Sequence, residues 1–266
     1  MGNSQRQRMS ALRPLIWPAD HRPCKHGGMN PLDDRPQVGT IPVDPGTFDQ
    51  DGLELDAILH ELGLTLTDDL PAEMPSRGWR VLSSDTGSAT TVGAPADTDP
   101  SSWWVGVIMR DEDDPTGDAL SLYPSPLPRR PSPRARAEGL VLRWPEVTRA
   151  APNLALLAID IINAGTKRWH PHGDSFVVFA GLRKPGGPDP SVSFAYVSGR
   201  DPALPLDPGE YVRVRVEIDS NQWADLQPGR YDVLAGLVDL GLAAAEPLQV
   251  DVTEHDVRRY SRKWAD

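Results

Sequence analysis

Hydrophobic and polar positions alternate most regularly in residues 206–238. Between Val212 and Ile218 every second residue is aliphatic and the residues between them are charged, which is typical of a strand with one buried and one solvated face. The phrase Leu-x-Pro-Gly-x-Tyr precedes this strand, and it recurs at Leu226–Tyr231 before a second alternating stretch. Since Pro-Gly favours a tight turn, the pattern predicts two neighbouring strands of an antiparallel sandwich, each entered through a corner.

Similar strand patterns, separated by turn residues, continue on both sides of this stretch. Their spacing predicts that residues 138–253 form a seven-stranded antiparallel β-sandwich. One strand candidate, Leu154–Ile162, is apolar on nearly both faces, so we expect the first half of the chain to cover its outer face. The predicted strands are Leu140–Trp144, Leu154–Ile162, Phe176–Leu182, Val192–Val197, Val212–Ile218, Tyr231–Val238 and Leu248–Val252.

Residues 32–123 combine one helical pattern with short strand patterns, which predicts a small acidic α+β domain. Apolar residues recur at helical spacing between Leu55 and Leu62, and Asp51 with Glu54 resembles a capping box. The whole chain is therefore predicted to be mainly β, with a sandwich preceded by this α+β domain. The strand candidates of the domain are Trp79–Leu82, Thr90–Val92, Trp103–Arg110 and Ala119–Tyr123, with an acidic tip between the last two.

Three segments lie outside the two predicted domains. Residues 1–31 are basic and aperiodic and are expected to be a disordered lead-in, with Met29 as an alternative start. Residues 124–137 are rich in Pro and Arg, which is typical of an extended linker. Residues 254–266 carry apolar side chains at helical spacing among basic ones, which predicts a short amphipathic tail that docks on the acidic body.

The net charge and the cysteine content limit which partners the protein could bind and which cellular compartment it could occupy. The chain of 266 residues carries a net charge of −11, which argues against nucleic acid or an anionic membrane as the partner. The single cysteine, Cys24, excludes a framework of intrachain disulfides. Because no apolar run reaches membrane-spanning length and no secretory segment is present, the sequence predicts a cytoplasmic protein.

The second half of the chain resembles a known family. Asn163–Trp169, Gly173-Asp174, the two Pro-Gly phrases and Gly236–Asp239 follow the order found in immunoglobulin-like sandwiches, which are accessory modules of many bacterial proteins, including sugar-modifying enzymes. Residues 140–253 are also similar to the four-tryptophan domain of selective-autophagy receptors. The resemblance implies an immunoglobulin-like fold with a tyrosine corner at Tyr231. It implies a fold and not a function, and the first half resembles no family.

The stretch Trp169–Asp174 is the one that suggests chemistry. His170, His172 and Asp174 form an H-x-H-x-D string of the kind that holds Zn²⁺ in some metallohydrolases. Ser175 follows where a further ligand would be useful, so a solvated loop is the favoured interpretation, and no metal or cofactor is expected. Since G-x-S-x-G, P-loop and G-x-G-x-x-G motifs are absent from the sequence, no catalytic residue is assigned.

Two hypotheses of function follow. The first is a non-catalytic binding or protein-interaction protein, whose contact residues are predicted to be Trp103 and Trp104 on one strand, with Trp169, His170 and His172 in a loop. The alternative is a hydrolase acting on sugars or peptides, with its site in the first domain and the sandwich as an accessory module. A concave pocket of carboxylates in the first domain favours the hydrolase, and an exposed aromatic patch favours the binding protein.

Overall fold

The computed structural model describes two sheets, and its described residues are mainly strand, which confirms the predicted mainly β fold. No helix in this part of the chain is long and apolar enough to cross a membrane. Three predictions lie outside the described residues: the lead-in at residues 1–31, the acidic tip at residues 111–118 and the strand Val192–Val197. The described residues are 34–62, 71–84, 89–97, 99–109, 119–188, 202–218 and 226–261.

Seven strands form the first sheet, namely β1 (Gln37–Val38), β2 (Ile41–Pro42), β3 (Arg80–Ser84), β4 (Ala89–Ala96), β5 (Asp99–Met109), β6 (Ala119–Leu122) and β7 (Leu127–Arg130). Their order is β2-β1-β7-β5-β4-β3, and β6 also pairs with β5. One side of β5 pairs with β4, while the other pairs with β7 at Trp103 and with β6 from Gly106 to Met109. The long apolar strand predicted at Trp103–Arg110 is therefore the centre of this sheet.

Two helices, α1 (Pro45–Phe48) and α2 (Leu55–Glu61), complete the predicted α+β part. The apolar stripe of α2 is buried, as its helical spacing predicts. The predicted capping box does not form, because the N-cap is Glu54, which makes no side-chain cap hydrogen bond. The Glu54 carboxylate instead pairs with Arg77 at 3.0 Å.

Residues 124–137 differ from the extended linker that their composition predicts. They contain β7, which pairs with both β5 and β1 and so joins the two parts of the first sheet. Helix α3 (Pro133–Arg136) follows, and Ser132 caps it by accepting the backbone N–H of Ala135. Pro at the first turn is favourable because its missing N–H would have no helical partner there. In this segment proline therefore stabilises the start of a helix and does not mark a flexible connection.

Seven strands also form the second sheet, namely β8 (Leu140–Arg143), β9 (Ala158–Asn163), β10 (Val178–Arg183), β11 (Tyr211–Ile218), β12 (Gly229–Leu237), β13 (Leu242–Ala243) and β14 (Leu248–Val252). Their order is β13-β12-β10-β11-β9-β8, and β14 pairs with β12. Helix α4 (Glu146–Ala150) follows β8. Side chains from β8, β9, β10, β12 and β14 meet in one buried cluster, which is the core of this half.

Strand β11 connects the two parts of the second sheet. Its residues 211–215 pair with β9, and its residues 216–218 pair with β10. The pairing of β10 with β11 is parallel. The prediction of an entirely antiparallel sheet is therefore wrong at this pair of strands. The two strands that follow the Pro-Gly corners, β11 and β12, are not neighbours either, because β10 lies between them. The alternation of apolar and polar residues predicts a strand and its buried face. Which strands lie next to it in the sheet depends on pairing between distant segments of the chain.

The predicted strand Leu154–Ile162 is divided in two. Leu154–Leu156 forms a 3₁₀ turn in which Leu154 is buried and Leu156 is 75% exposed. Strand β9 begins only at Ala158, and on its outer face Asp160 pairs with Arg213 of the adjacent β11. The Asp160–Arg213 ion pair therefore covers the middle of the outer face of β9. The sequence predicts instead that the first half of the chain covers this face.

The first Pro-Gly corner and the predicted tyrosine corner are both present. Gly209 has φ 81°, and the N–H of Glu210 donates to the carbonyl of Asp207 across the turn, a conformation in which glycine is favoured. Tyr231 is 6% exposed, and its hydroxyl donates to the carbonyl of Gln227 at 3.1 Å. The last helix, α5 (Glu254–Ser261), packs Val257 and Tyr260 on the core, as the amphipathic spacing predicts.

Candidate functional site

The two adjacent tryptophans of β5 lie on opposite faces of the first sheet, as the strand period predicts. Trp104 packs in the cluster that contains Leu55 and Ile58 of α2, and Trp103 packs with Val38 on the other face. Trp103 is 3% exposed and Trp104 is 9% exposed. Both side chains are core residues of the first half, so neither presents the exposed ring that a contact residue needs.

Trp169 is also buried, in the loop between β9 and β10. Backbone hydrogen bonds in both directions join it to Leu206, and its ring stacks on Phe176 with 5.4 Å between the centroids. Its indole N–H donates to the carbonyl of Arg136 in α3 at 2.6 Å. Trp169 therefore anchors the second half to the end of the first half, and it is only 5% exposed.

The histidines and the aspartate of the H-x-H-x-D string point in different directions. His170 and His172 are exposed, while Asp174 is fully buried. Between them His172 and Gly173 have φ values of 44° and 81°, a left-handed turn that reverses the chain. The described residues contain no group of three His, Cys, Asp or Glu side chains that could hold a metal ion. The string is thus a turn that presents two imidazoles to solvent and sends its carboxylate inward.

Asp174 joins the two halves of the chain, which we define as residues 34–137 and 138–261. Its carboxylate accepts hydrogen bonds from Arg130 of β7 and from Arg136 of α3, whose Nε and Nη2 lie 3.1 and 3.2 Å from its two oxygens. The Arg136 guanidinium also donates to Gln37 Oε1 at 3.0 Å and to the carbonyl of Asp239 at 3.1 Å. We call these residues, Gln37, Arg130, Arg136, Asp174 and Asp239, the interdomain clamp.

Burial determines the electrostatics of the clamp. It raises the pKa of the Asp174 carboxyl, and the guanidiniums of Arg136 and Arg130 act in the opposite direction. Burial likewise lowers the pKa of Arg136, against the effect of Asp174. The side chain of Asp239 accepts the backbone N–H and the hydroxyl of Ser175 at 2.7 and 2.8 Å. Both carboxylates of the clamp are occupied by protein donors, so the clamp has the properties of a structural joint.

A different surface of the second half is exposed and chemically mixed. The outer face of β8, β9 and β11 carries three cross-strand rows, which we name the arginine face. Tyr211 is 58% exposed and Val141 is 42% exposed, while the alternate residue Ile161 is fully buried in the core. The rows are Val141–Ile162–Tyr211, Arg143–Asp160–Arg213 and Ala158–Arg215.

The middle row contains two cations and one anion. Asp160 accepts from Arg213 Nε at 2.7 Å and from Arg213 Nη2 at 3.1 Å, a bidentate pair, and these hydrogen bonds raise the pKa of Arg213. Arg143 lies opposite Asp160 on the other side. Within the described part of the chain, the guanidinium of Arg143 makes no hydrogen bond or ion pair, and the same is true of the guanidinium of Arg215 in the next row. Neither guanidinium is therefore paired with a carboxylate among the described residues.

Two grooves lie on the arginine face and meet at Arg213. The larger, about 660 Å³, lies between Tyr211 and helix α4 and is lined by Val147, Glu146 and Arg143 as well. The smaller, about 260 Å³, lies between Arg215 and the 3₁₀ turn and is lined by Leu156 and Ala158. Val147 is 67% exposed, which leaves an apolar side chain in solvent at the α4 end as well as at the Leu156 end.

A third groove, about 1010 Å³, lies beside the start of β11 and shares Tyr211 with the arginine face. Its walls are mostly apolar and come from Phe176, Leu204 and Val212, with Glu210 as its charged residue. All three grooves are lined by residues of the second half. The hydrolase alternative expected its pocket in the first half, and it stays a hypothesis.

The residues of the arginine face and of the clamp were not among the predicted site residues. The alternation from Val212 to Ile218 did place Arg213 and Arg215 on a solvated face, which is the signal that the sequence contains. Tyr211 was assigned to the turn phrase before the strand, although it is the first residue of β11. Arg136 lies in the segment that the sequence predicts to be an extended basic linker, so its pairing with Asp174 is not expected from the sequence.

Comparison with known proteins adds no identity. No protein family, curated protein or solved structure matches this chain significantly. The resemblance of the second half to immunoglobulin-like accessory modules stays a prediction.

Proposed function

We propose that this chain is a non-catalytic protein-interaction module, with an immunoglobulin-like second half, and that its partner is another protein bound on the arginine face. The observation that supports the proposal is the exposed aromatic ring of Tyr211, which stands in one cross-strand row with Val141 and Ile162. Single exposed apolar residues are ordinary on protein surfaces, whereas a row of them beside a groove is a feature of binding surfaces.

The residue types on this face also fit recognition. Tyr and Arg are enriched among the residues that contribute most to binding, because each covers a large area and still offers hydrogen bonds. The bidentate pair with Asp160 fixes the guanidinium of Arg213 before any partner arrives. A side chain that is already ordered loses less conformational entropy on association. The face is therefore partly preorganised.

We further propose that the protein acts in the cytoplasm and binds neither nucleic acid nor membrane. The single cysteine fits a reducing compartment. The net charge of −11 disfavours polyanionic partners. A protein partner that binds the arginine face, which carries both apolar and charged side chains, agrees with the single cysteine and with the net charge.

Photo-crosslinking tests the proposed function. A chain with photoreactive benzoylphenylalanine in place of Tyr211 is expected to form a discrete crosslinked protein species in an extract of the native host. The matched control carries the same group in place of Val81, which is 43% exposed on the first sheet. Excess wild-type chain should remove the crosslinked species, and excess Tyr211→Ser chain should not.

Identical crosslinked species from both positions would contradict the proposal, because they would show only general stickiness of the surface. The proposal would also be contradicted if excess Tyr211→Ser chain removed the crosslinked species as effectively as excess wild-type chain does. Tyr211→Ser is suited to this competition because the ring is 58% exposed and its loss leaves no cavity in the core.

A further inference from the structure

We propose that the arginine face binds an extended acidic segment of its protein partner, in which a carboxylate is flanked, two residues away on each side, by apolar side chains. This inference rests on the proposed function and specifies the chemistry of the partner. It is drawn from the charges, the spacing and the exposed apolar side chains of this face.

The charge of the face is the first argument. Its rows contain three arginines and one aspartate, and the aspartate is already paired with Arg213. Arg143 and Arg215 are exposed, and their guanidiniums make no hydrogen bond or ion pair with described residues. The chain as a whole carries a net charge of −11, so a local excess of cations opposes the general trend. A partner carboxylate on this face would therefore meet a net positive charge.

The spacing of the side chains is the second argument. Tyr211, Arg213 and Arg215 stand at alternate positions of β11, so they repeat every ~6.6 Å and together span ~13 Å. A bound segment in extended conformation directs its own alternate side chains toward the face with the same repeat. Three successive inward side chains of such a segment therefore match the length of the face.

The order of exposed side chains is the third argument. Tyr211 borders the larger groove at one end of the β11 row, and Leu156 borders the smaller groove at the other end. Arg213, with Arg143 across the sheet, lies between these ends. Apolar contacts at both ends and a charge pair in the middle call for a segment with the pattern apolar-x-acidic-x-apolar. Glu146 also lines the larger groove, and its negative charge disfavours a second carboxylate there.

Selection of random peptides displayed on phage tests this inference with the full chain as target. Enriched peptides are expected to contain Asp or Glu with apolar residues two positions before and after it. A labelled enriched peptide should bind with about tenfold lower affinity to the double variant Arg143→Gln, Arg215→Gln, as measured by fluorescence anisotropy. Its binding to the wild type should also weaken as salt is raised.

The double variant Arg77→Gln, Arg134→Gln is the matched control. It removes the same charge from two side chains that are 78% and 87% exposed outside the arginine face, and it should leave the affinity unchanged. Peptides that require Tyr211 but lack the acidic pattern, or that bind the Arg143→Gln, Arg215→Gln chain equally well, would overturn this inference and leave the proposed function standing. If no enriched peptide loses binding in Tyr211→Ser, both the inference and the proposed function are overturned.

Discussion

Two buried aspartates of the second half pair with arginines in opposite ways. Asp174 accepts from Arg130 and Arg136, both of which come from the first half and are themselves buried. Asp160 accepts from Arg213 on the neighbouring strand, whose side chain is 44% exposed. The site around Asp174 is enclosed and joins the two halves of the chain. The Asp160–Arg213 pair lies on an open face and joins two adjacent strands of one sheet.

The difference separates a structural role from a binding role. A guanidinium that is enclosed on all sides contributes to folding alone, because a partner cannot reach it. The guanidinium of Arg213 is held by Asp160 and still has one side in solvent, so it remains available to a ligand. Enclosure also makes the loss of one charge costly, because the remaining charges cannot be hydrated. The following predictions test this contrast.

Replacement of Arg136 is expected to have the largest effect. Arg136→Met removes the donors to Asp174, Gln37 and the carbonyl of Asp239 and leaves these acceptors buried. We expect the free energy of unfolding to fall by about 3–5 kcal/mol, measured by urea denaturation. Arg168→Met is the control, since Arg168 pairs with Asp207 in solvent, and it should cost less than about 1 kcal/mol. Equal losses in both variants would contradict the structural role of the clamp.

The defect of Arg136→Met should depend on pH. Burial raises the pKa of Asp174 above its ordinary value of 3.8, and loss of the guanidinium raises that pKa further. A carboxyl with a raised pKa contributes stability that is complete below 3.8 and is lost as the pH rises through the folded-state value. The difference in unfolding free energy between variant and wild type should therefore be smaller near about pH 4 than near about pH 7. An equal difference at both values would show that Asp174 is not the group involved.

Replacement of Arg213 is expected to have an intermediate effect. Arg213→Met removes the bidentate partner of Asp160, but Arg143 still lies opposite that carboxylate. The unfolding free energy, again from urea denaturation, should fall by clearly less than it does in Arg136→Met, because solvent reaches this side of the pair. A loss as large as that of Arg136→Met would mean that both pairs are structural and would weaken the contrast.

The sequence predicted those features of the fold that depend on local pattern. Alternation and turn residues located the strand segments that became β8, β11, β12 and β14, and helical spacing located α2. Pairing between distant strands has no local pattern, which is why the position of β10 between β11 and β12 was not predicted. The same limit applies to β7, whose partners in β5 and β1 lie far away along the chain.

The clamp and the arginine face were harder to predict for a related reason. Arg136 and Asp174 are separated by 38 residues, so their pairing is invisible until the fold brings them together. The sequence predicts the tryptophans as contact residues because large aromatic side chains dominate interfaces, but the same large area makes them effective core residues. The alternation predicts the solvated face of β11, and only the apolar row of Val141, Ile162 and Tyr211, of which Val141 and Tyr211 are exposed, distinguishes this face from an ordinary solvated surface.

The smallest effect is expected for the two exposed histidines, which also test the absence of a metal role. His170 and His172 make no hydrogen bond or ion pair with the described residues, and the carboxylate of Asp174 is occupied by two arginines. Replacing both with Ala should change the unfolding free energy by less than about 0.5 kcal/mol. Calorimetric titration of the wild type with Zn²⁺ should show no stoichiometric binding, since a zinc site needs three or four converging ligands. One-to-one uptake of Zn²⁺ that disappears in the double variant would contradict this prediction, because it would show that the two imidazoles are metal ligands.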